Sequence, residues 1–244
     1  MAVHASALVR KLNRFLPLDA VELEALGQLE QRRRTVRADT DLVHERQAGH
    51  HAFILEEGWA LLYKMLPDGG RQVIDFGLPG DFMGLRSVLL RTSDHSFAAV
   101  TDIVVVEISA RQMIETFQRL PRLATAVLWA ASRDEAMVVE HLVNVGRRDA
   151  LGRTAHLLVE LGLRLELIGH GTARSYACPI NQYQMADALG LTAVHVNRVL
   201  RKLREQRLVT VRDGRVEVQD LEGLRRLADY HGGYLDQNHG PEGR

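Results

Sequence analysis

Residues 181–218 constrain the fold more tightly than any other stretch of this chain. The segment NQYQMADALG predicts a short helix whose Tyr183, Met185, Ala186 and Leu189 pack inward. Gly190 then supplies the positive φ that a sharp turn between helices requires. A second helix starts at once, with Thr192 as its cap and an apolar stripe of Val196, Val199, Leu200 and Leu203 at helical period. The opposite face carries His195, Arg198, Arg201, Lys202 and Arg204. Beyond it, RLVTVRDGRVEV alternates around Asp213-Gly214, a dipeptide that favours a two-residue hairpin turn. Together these signals predict a helix-turn-helix followed by a β-hairpin wing.

That arrangement suits duplex DNA. An α-helix fits the major groove, its N-terminal side chains reach base edges, and arginine pairs bidentately with guanine while neighbouring cations neutralise phosphates. Between 192 and 215 seven cations (Arg198, Arg201, Lys202, Arg204, Arg207, Arg212 and Arg215) stand against two acids, Glu205 and Asp213, in a chain whose net charge is zero. A charge run by itself reads as a solvated face. Here it coincides with a glycine turn, a capped helix and a wing, and the coincidence carries the inference. Thr192, Ala193, Val194, His195, Asn197, Arg198, Arg201 and Lys202 are the candidate DNA-binding residues, with double-stranded DNA as the partner.

With 244 residues and 46% hydrophobic content, the chain can build one or two domains. No run of about eighteen apolar residues is available to span a bilayer, so no membrane is expected. The N-terminus lacks the apolar core and cleavage site of a signal peptide. Cys178 is the single cysteine, which excludes an intrachain disulfide framework and any four-cysteine cluster. A reducing, cytoplasmic setting is expected, with no metal and no cofactor, and Cys178 in a structural role.

Residues 5–28 are expected to be helical, with Asp19 and Glu22 spaced as a capping box. From about 30 to 110, short apolar runs (TDLVH, HAFILEEG, WALLYKML, RQVIDFGL, FAAVT, IVVVEIS) alternate with turn signals such as PDGG and PGD, which predicts an antiparallel barrel or roll. Helices follow at 110–119 and from Pro121 to about Val145. The longer helix bears two stripes. Leu123, Val127, Ala130, Met137 and His141 form one; Leu128, Ala131, Val138, Leu142 and Val145 form the other at heptad-like spacing, with Glu135 at one seam position. Two apolar faces imply two partners, and the second is the candidate dimer interface. Asp149 caps the next helix. The expected organisation is α+β: an N-terminal antiparallel β-roll with helices (1–110), a long dimerisation helix (111–147), a C-terminal winged helix-turn-helix (148–230) and a flexible tail (231–244).

This order of parts, with GDFMG in the roll and DALGLTAVHVNRVLRKL in the reader, strongly resembles the Crp/Fnr family of bacterial transcription regulators over roughly residues 10–230. Arg198 aligns with the family arginine that contacts guanine, and Asp149, Gly152 and Arg153 match the start of its DNA-binding domain. The resemblance implies a cyclic-nucleotide-binding-like sensor roll, a homodimer on a palindromic operator and RNA polymerase as a further partner.

The sensing pocket departs from the cyclic-nucleotide binders of that family. Gly84, Leu85, Arg86, His95 and Ser96 are the candidate effector-pocket residues. Leu85 stands where a glutamate would accept from the ribose, and His95-Ser96 where arginine and a hydroxyl residue would hold the phosphate. Cyclic AMP is therefore not the expected effector, unless Arg86 or Arg91 substitutes; an unidentified small molecule, or none, takes its place. N-terminal cysteines for an iron–sulfur cluster are missing, and His44, His50, His51, His95 and His141 lack haem-ligand spacing. Glu56 with Glu57, and Asp75 with Asp81, are expected to be solvated turn and strand-edge carboxylates, and no catalytic set accompanies them, so an enzyme is not expected. In the reader, Ala193 and Val194 replace a family glutamate. Val194 can instead pack on a thymine methyl, and Asn197 can pair with adenine. The rival reading is a ligand-binding signalling protein that uses the helix-turn-helix as a protein-interaction module.

Overall fold

The computed structural model describes residues 6–29, 32–48, 51–88, 90 and 92–235. Two helices, α1 (Ala7–Phe15) and α2 (Ala20–Leu29), make up the helical stretch expected over 5–28. The break falls at Leu16–Asp19, where Pro17 supplies no backbone N–H. The Asp19–Glu22 capping box then forms as expected: Glu22 N–H donates to Asp19 Oδ1 (2.9 Å), and Asp19 N–H donates to Glu22 Oε2 (2.8 Å).

Eight strands follow: β1 (Arg33–Val36), β2 (Asp41–Val43), β3 (His51–Glu57), β4 (Ala60–Met65), β5 (Arg71–Gly77), β6 (Phe82–Met83), β7 (Ser96–Ala99) and β8 (Ile103–Ser109). They form two four-stranded sheets, ordered β1-β8-β3-β6 and β2-β7-β4-β5. In the first, β3 and β8 pair antiparallel with Ala52 opposite Ile108, Ile54 opposite Val106 and Leu55 opposite Val105. Side chains alternate faces along a strand. Ala52, Ile54, Val106 and Ile108 therefore join the cluster built with Leu8, Leu12 and Leu26 of the helices, while Phe53, Leu55, Ile103 and Val105 fill the roll with Phe97 and Met83. Burial on both faces explains why these two strands read as nearly continuous apolar runs rather than as alternation.

Helix α3 (Ala110–Arg119) opens with a Ser109–Gln112 capping box, and α4 (Pro121–Arg147) opens with proline at its first position. Leu123, Ala126, Val127 and Ala130 of α4 are buried in the helix–sheet cluster, and Trp129 stacks on Phe15 at 4.9 Å.

Helix α5 (Ala150–Ile168) starts at Asp149, whose Oδ1 accepts from Gly152 N–H (2.7 Å). After β9 (Gly171–Thr172) and β10 (Ser175–Ala177) come α6 (Gln182–Leu189), α7 (Ala193–Glu205), β11 (Val209–Arg212), β12 (Arg215–Val218) and α8 (Leu221–Leu227). The four strands form one sheet ordered β11-β12-β10-β9. Tyr176 anchors this region, its hydroxyl donating to the Leu158 carbonyl at 2.6 Å. Two units emerge: residues up to Leu62 with Phe76–Ala136, and Tyr63–Asp75 with Met137–Tyr234. The outer part of the β4–β5 hairpin thus belongs to the second unit. The expected flexible tail begins with a 3₁₀ turn at Gly232–Tyr234, and its residues 236–244 lie outside the described residues.

Candidate nucleic-acid interface

The helix-turn-helix is set by two local caps, a left-handed glycine and one contact from α5. Asn181 and Gln184 close a capping box at the start of α6 (2.9 Å each way). Gly190, at φ 63°, takes the left-handed conformation, and Arg153 from α5 donates through its guanidinium to the Leu189 carbonyl at the end of α6 (3.0 Å). Thr192 Oγ1 then accepts from His195 N–H (3.2 Å) and caps α7. Gln184 is buried where Tyr183 was expected inward, and Tyr183 is 72% exposed. Met185, Ala186 and Leu189 do point inward, and a residue two positions from Met185 lies about 200° around the helix, on the opposite face.

Val196, Val199 and Leu203 of α7 are buried, so its other face is presented outward. Val194 is 69% exposed near the helix start, Ala193 and His195 are half-buried, and Arg198, Lys202 and Arg204 are exposed with no acidic partner among the described residues. Arg201 lies 3.8 Å from Glu205, an exposed pair of little energetic weight. Asn197 Nδ2 donates to Gln182 Oε1 at 2.6 Å. Gln182 and Tyr183 are therefore two surface groups beside the reader face that periodicity alone did not single out. In the wing, Asp213 (φ 52°) and Gly214 (φ 70°) make the hairpin turn, with Arg212 and Arg215 exposed on either side.

The candidate effector residues do not converge. Gly84 lines a cavity of about 60 Å³ together with Val43, Gln47, His51, Ser87 and Phe97. That volume holds a few waters, against roughly 300–1,000 Å³ for sites that take drug-sized ligands. Leu85 instead packs against the helix–sheet cluster. Arg86 and His95 each place one nitrogen on Asp94, at 3.1 and 2.6 Å, while Ser96 Oγ accepts from Glu45 N–H at 2.9 Å. Arg91 and His50 lie outside the described residues.

Glu57 is exposed as expected, but the other three acids are paired rather than solvated. Asp81 is buried and accepts from the Lys11 ammonium (2.8 Å), Glu56 takes a two-pronged contact from Arg33 (2.7 and 2.9 Å), and Asp75 takes one from Arg164 (2.7 and 3.3 Å). Their cationic partners are far away in sequence, so spacing along the chain gave no sign of them. Asp75, His141 and Glu160 bring ligand-type atoms within 4.8 Å of one another, but Arg164 already supplies a cation to both carboxylates.

On the long helix, Leu128 (66%), Val138 (45%) and Leu142 (74%) are exposed, as are the neighbouring Val139 and Val143, while Ala131 and Val145 are half-buried. The other stripe, Leu123, Val127, Ala130 and Met137, is buried.

Residues 14–120 match the cyclic nucleotide-binding domain family, and residues 152–227 match the Crp-like helix-turn-helix domain family. The nitrogen fixation regulation protein FixK of Rhizobium meliloti is 31% identical over 198 residues, spanning 80% of this chain and 86% of that protein. The transcriptional activatory protein AadR of Rhodopseudomonas palustris is 30% identical over 77% of each chain. The fold is shared with FixK2 from Bradyrhizobium japonicum, at a TM-score of 0.74 and 24% identity over 82% of this chain and 98% of that one. Both domain families in this order, with relatives at such identity over most of their length, place the chain in the Crp/Fnr family of DNA-binding transcription regulators.

Proposed function

We propose that this protein is a dimeric regulator that reads a palindromic operator through α7 and recruits RNA polymerase in the cytoplasm, without cyclic AMP as its effector. The observation that carries this reading is the outward face of α7, where Arg198, Lys202 and Arg204 lack acidic partners among the described residues behind a capped, apolar-packed helix start. Arg198 is assigned to a guanine edge, Val194 to a thymine methyl, and Asn197 to adenine; Arg201 and Lys202 are assigned to phosphates. Thr192, Ala193 and His195 set the approach of the helix N-terminus to the groove. The exposed stripe of Leu128, Val138 and Leu142, flanked by Ala131 and Val145, is the surface for a second copy of the chain. A two-fold dimer matches a palindromic site with half-sites one helical turn apart.

Selection of bound sequences from a random duplex pool tests this directly, with affinity then measured at several salt concentrations. Enrichment of a palindrome, with log affinity falling steeply against log salt, is the expected result. A protein that enriches no sequence and shows no salt dependence would instead be using its helix-turn-helix as a protein-interaction module.

A further inference from the structure

Beneath the reader, the second unit holds a buried polar cluster that the proposed function does not use. His141 of α4 lies at its centre. Its Nδ1 is 2.9 Å from the Ile74 carbonyl oxygen on the β4–β5 hairpin, and its Nε2 is 2.9 Å from Glu160 Oε1 on α5. Both partners are acceptors, so both ring nitrogens must donate, and only the imidazolium carries two N–H groups. The surrounding groups complete the charge count. Asp75 on the hairpin is bonded by Arg164, which also approaches Glu160 at 3.6 Å, and the Tyr234 hydroxyl donates to Glu160 at 2.8 Å. His156 faces the same cluster from α5, and Glu140 pairs with Arg148 beside it (3.3 Å). Asp75 and Glu160 thus balance His141 and Arg164. A neutral His141 would leave a net negative charge in a buried site and turn one ring lone pair toward an acceptor, which is costly.

The same hairpin touches the helix that precedes the reader. Arg71 donates to Asp187 of α6 at 2.6 Å, and the Gln72 amide donates to the Ala188 carbonyl at 3.3 Å. We propose that His141 is a positioning residue for DNA reading: as an imidazolium it clasps the 63–75 hairpin to α5, and the hairpin in turn holds α6 and the turn into α7. The proposal rests on the DNA-reading role given above.

Burial pulls the His141 ring down, but Glu160, with Asp75 and the Ile74 carbonyl, outweighs burial and pushes it up to about 9. A raised value means that the clasp is fully formed below the ring's ordinary value of about 6.5 and is lost as pH rises through about 9. Nitrogen-15 NMR of the histidine rings in the full-length protein reads the clasp without DNA. At pH 7 His141 should show both ring N–H groups and titrate in the alkaline range. Operator affinity should then fall roughly five- to tenfold as pH passes through that range, a typical size for coupling between sites. His141→Gln should be weakened already at pH 7 and should lack the alkaline step. Arg71→Leu should weaken operator binding while leaving the His141 ring charged, and it keeps the test open if His141→Gln fails to fold. A neutral His141 ring at pH 7 overturns the proposal, as does an unchanged alkaline step in His141→Gln or wild-type affinity in Arg71→Leu. Failure of the wild-type protein to bind any duplex would defeat the DNA-reading role, and with it the positioning role, while the ring titration still decides whether the clasp exists.

Discussion

The reader helix and the roll cavity treat polar side chains in opposite ways. On α7, Arg198, Lys202 and Arg204 extend outward with no acidic partner among the described residues, and Val194 is exposed beside them. Among the candidate effector residues of the roll the chain closes on itself: Asp94 takes both Arg86 and His95, and Ser96 caps the backbone at Glu45. A surface that leaves its charges uncompensated is built for an external partner of opposite charge, because the partner gains what the chain did not spend. Groups already paired with Asp94 must leave it before they can hold an anion: the Arg86 pair is exposed and worth little, so the cost falls mainly on the contact made by the buried His95 ring. The two regions therefore differ in what they offer a ligand, although both match known families.

The largest effect is expected at the apolar counterpart of the open reader surface. Glutamates placed together at Val138 and Leu142 put two unpaired charges in the proposed seam between copies, where buried unpaired charge costs several kcal/mol. Sedimentation should show monomers, and operator affinity should drop by at least about a hundredfold once the two half-sites are no longer held together. A double variant that remains dimeric with normal affinity moves the interface elsewhere. Next comes Arg198→Ala, expected to lose about 1–3 kcal/mol of discrimination between operator and random duplex with the fold and assembly intact. Arg201→Ala and Lys202→Ala should differ in kind, weakening every sequence alike and lowering the salt slope by about one each. If all three variants behaved identically, the division between base and phosphate contacts on α7 would be lost.

A smaller effect is expected at the helix start. Thr192→Ala removes the acceptor for His195 N–H and should cost about 1 kcal/mol of stability. Thermal unfolding checks it; because Thr192 also sets the approach of the helix start to the groove, affinity for all duplexes should fall slightly while the discrimination carried by Arg198 is retained. A loss of discrimination as large as that of Arg198→Ala would mean that Thr192 contacts DNA and does more than cap.

Local rules were legible in the sequence wherever partners lie within a few residues. The Asp19–Glu22 box, the Thr192 cap, the Gly190 turn and the Asp213-Gly214 wing each rest on interactions within a few positions, and each formed as the residue types dictate. Tyr183 failed by a single position, because the neighbouring Gln184 had its own local role in the Asn181 box. What could not be read was long-range charge pairing. Asp75 meets Arg164 across 89 positions, Lys11 meets Asp81 across 70, and His141 meets the Ile74 carbonyl across 67. No periodicity encodes such pairs, so carboxylates expected to be solvated became buried ion pairs, and a histidine dismissed as a ligand became the centre of a clasp. The same cluster sets an acid limit. His156 is pushed down to about 4, chiefly by burial and then by Arg148 and His141, and Glu160 is held below the usual carboxylate range because His141 and Arg164 overcome its burial. Both depressed values place the loss of their contributions on the acid side.

The smallest effect is the one expected of cyclic AMP. Its ribose hydroxyl would meet Leu85, which packs into the helix–sheet cluster and accepts no hydrogen bond, and its phosphate would have to draw Arg86 or His95 away from Asp94. The cavity of about 60 Å³ would also have to widen several-fold. A ligand shifts an equilibrium only by its differential affinity for the two states, so a nucleotide that does not bind cannot change operator affinity. Calorimetric titration with cyclic AMP and cyclic GMP should give no heat of binding at physiological concentrations, and operator binding should be the same with and without them. Asp94→Asn sharpens the comparison. Releasing Arg86 and His95 from their carboxylate makes both available to an anion, so this variant is expected to take up a cyclic nucleotide more readily than the wild-type chain. If the wild-type protein bound cyclic AMP at micromolar concentration and its operator affinity changed, the roll would be as open to its ligand as α7 is to DNA, and the contrast between the two regions would collapse.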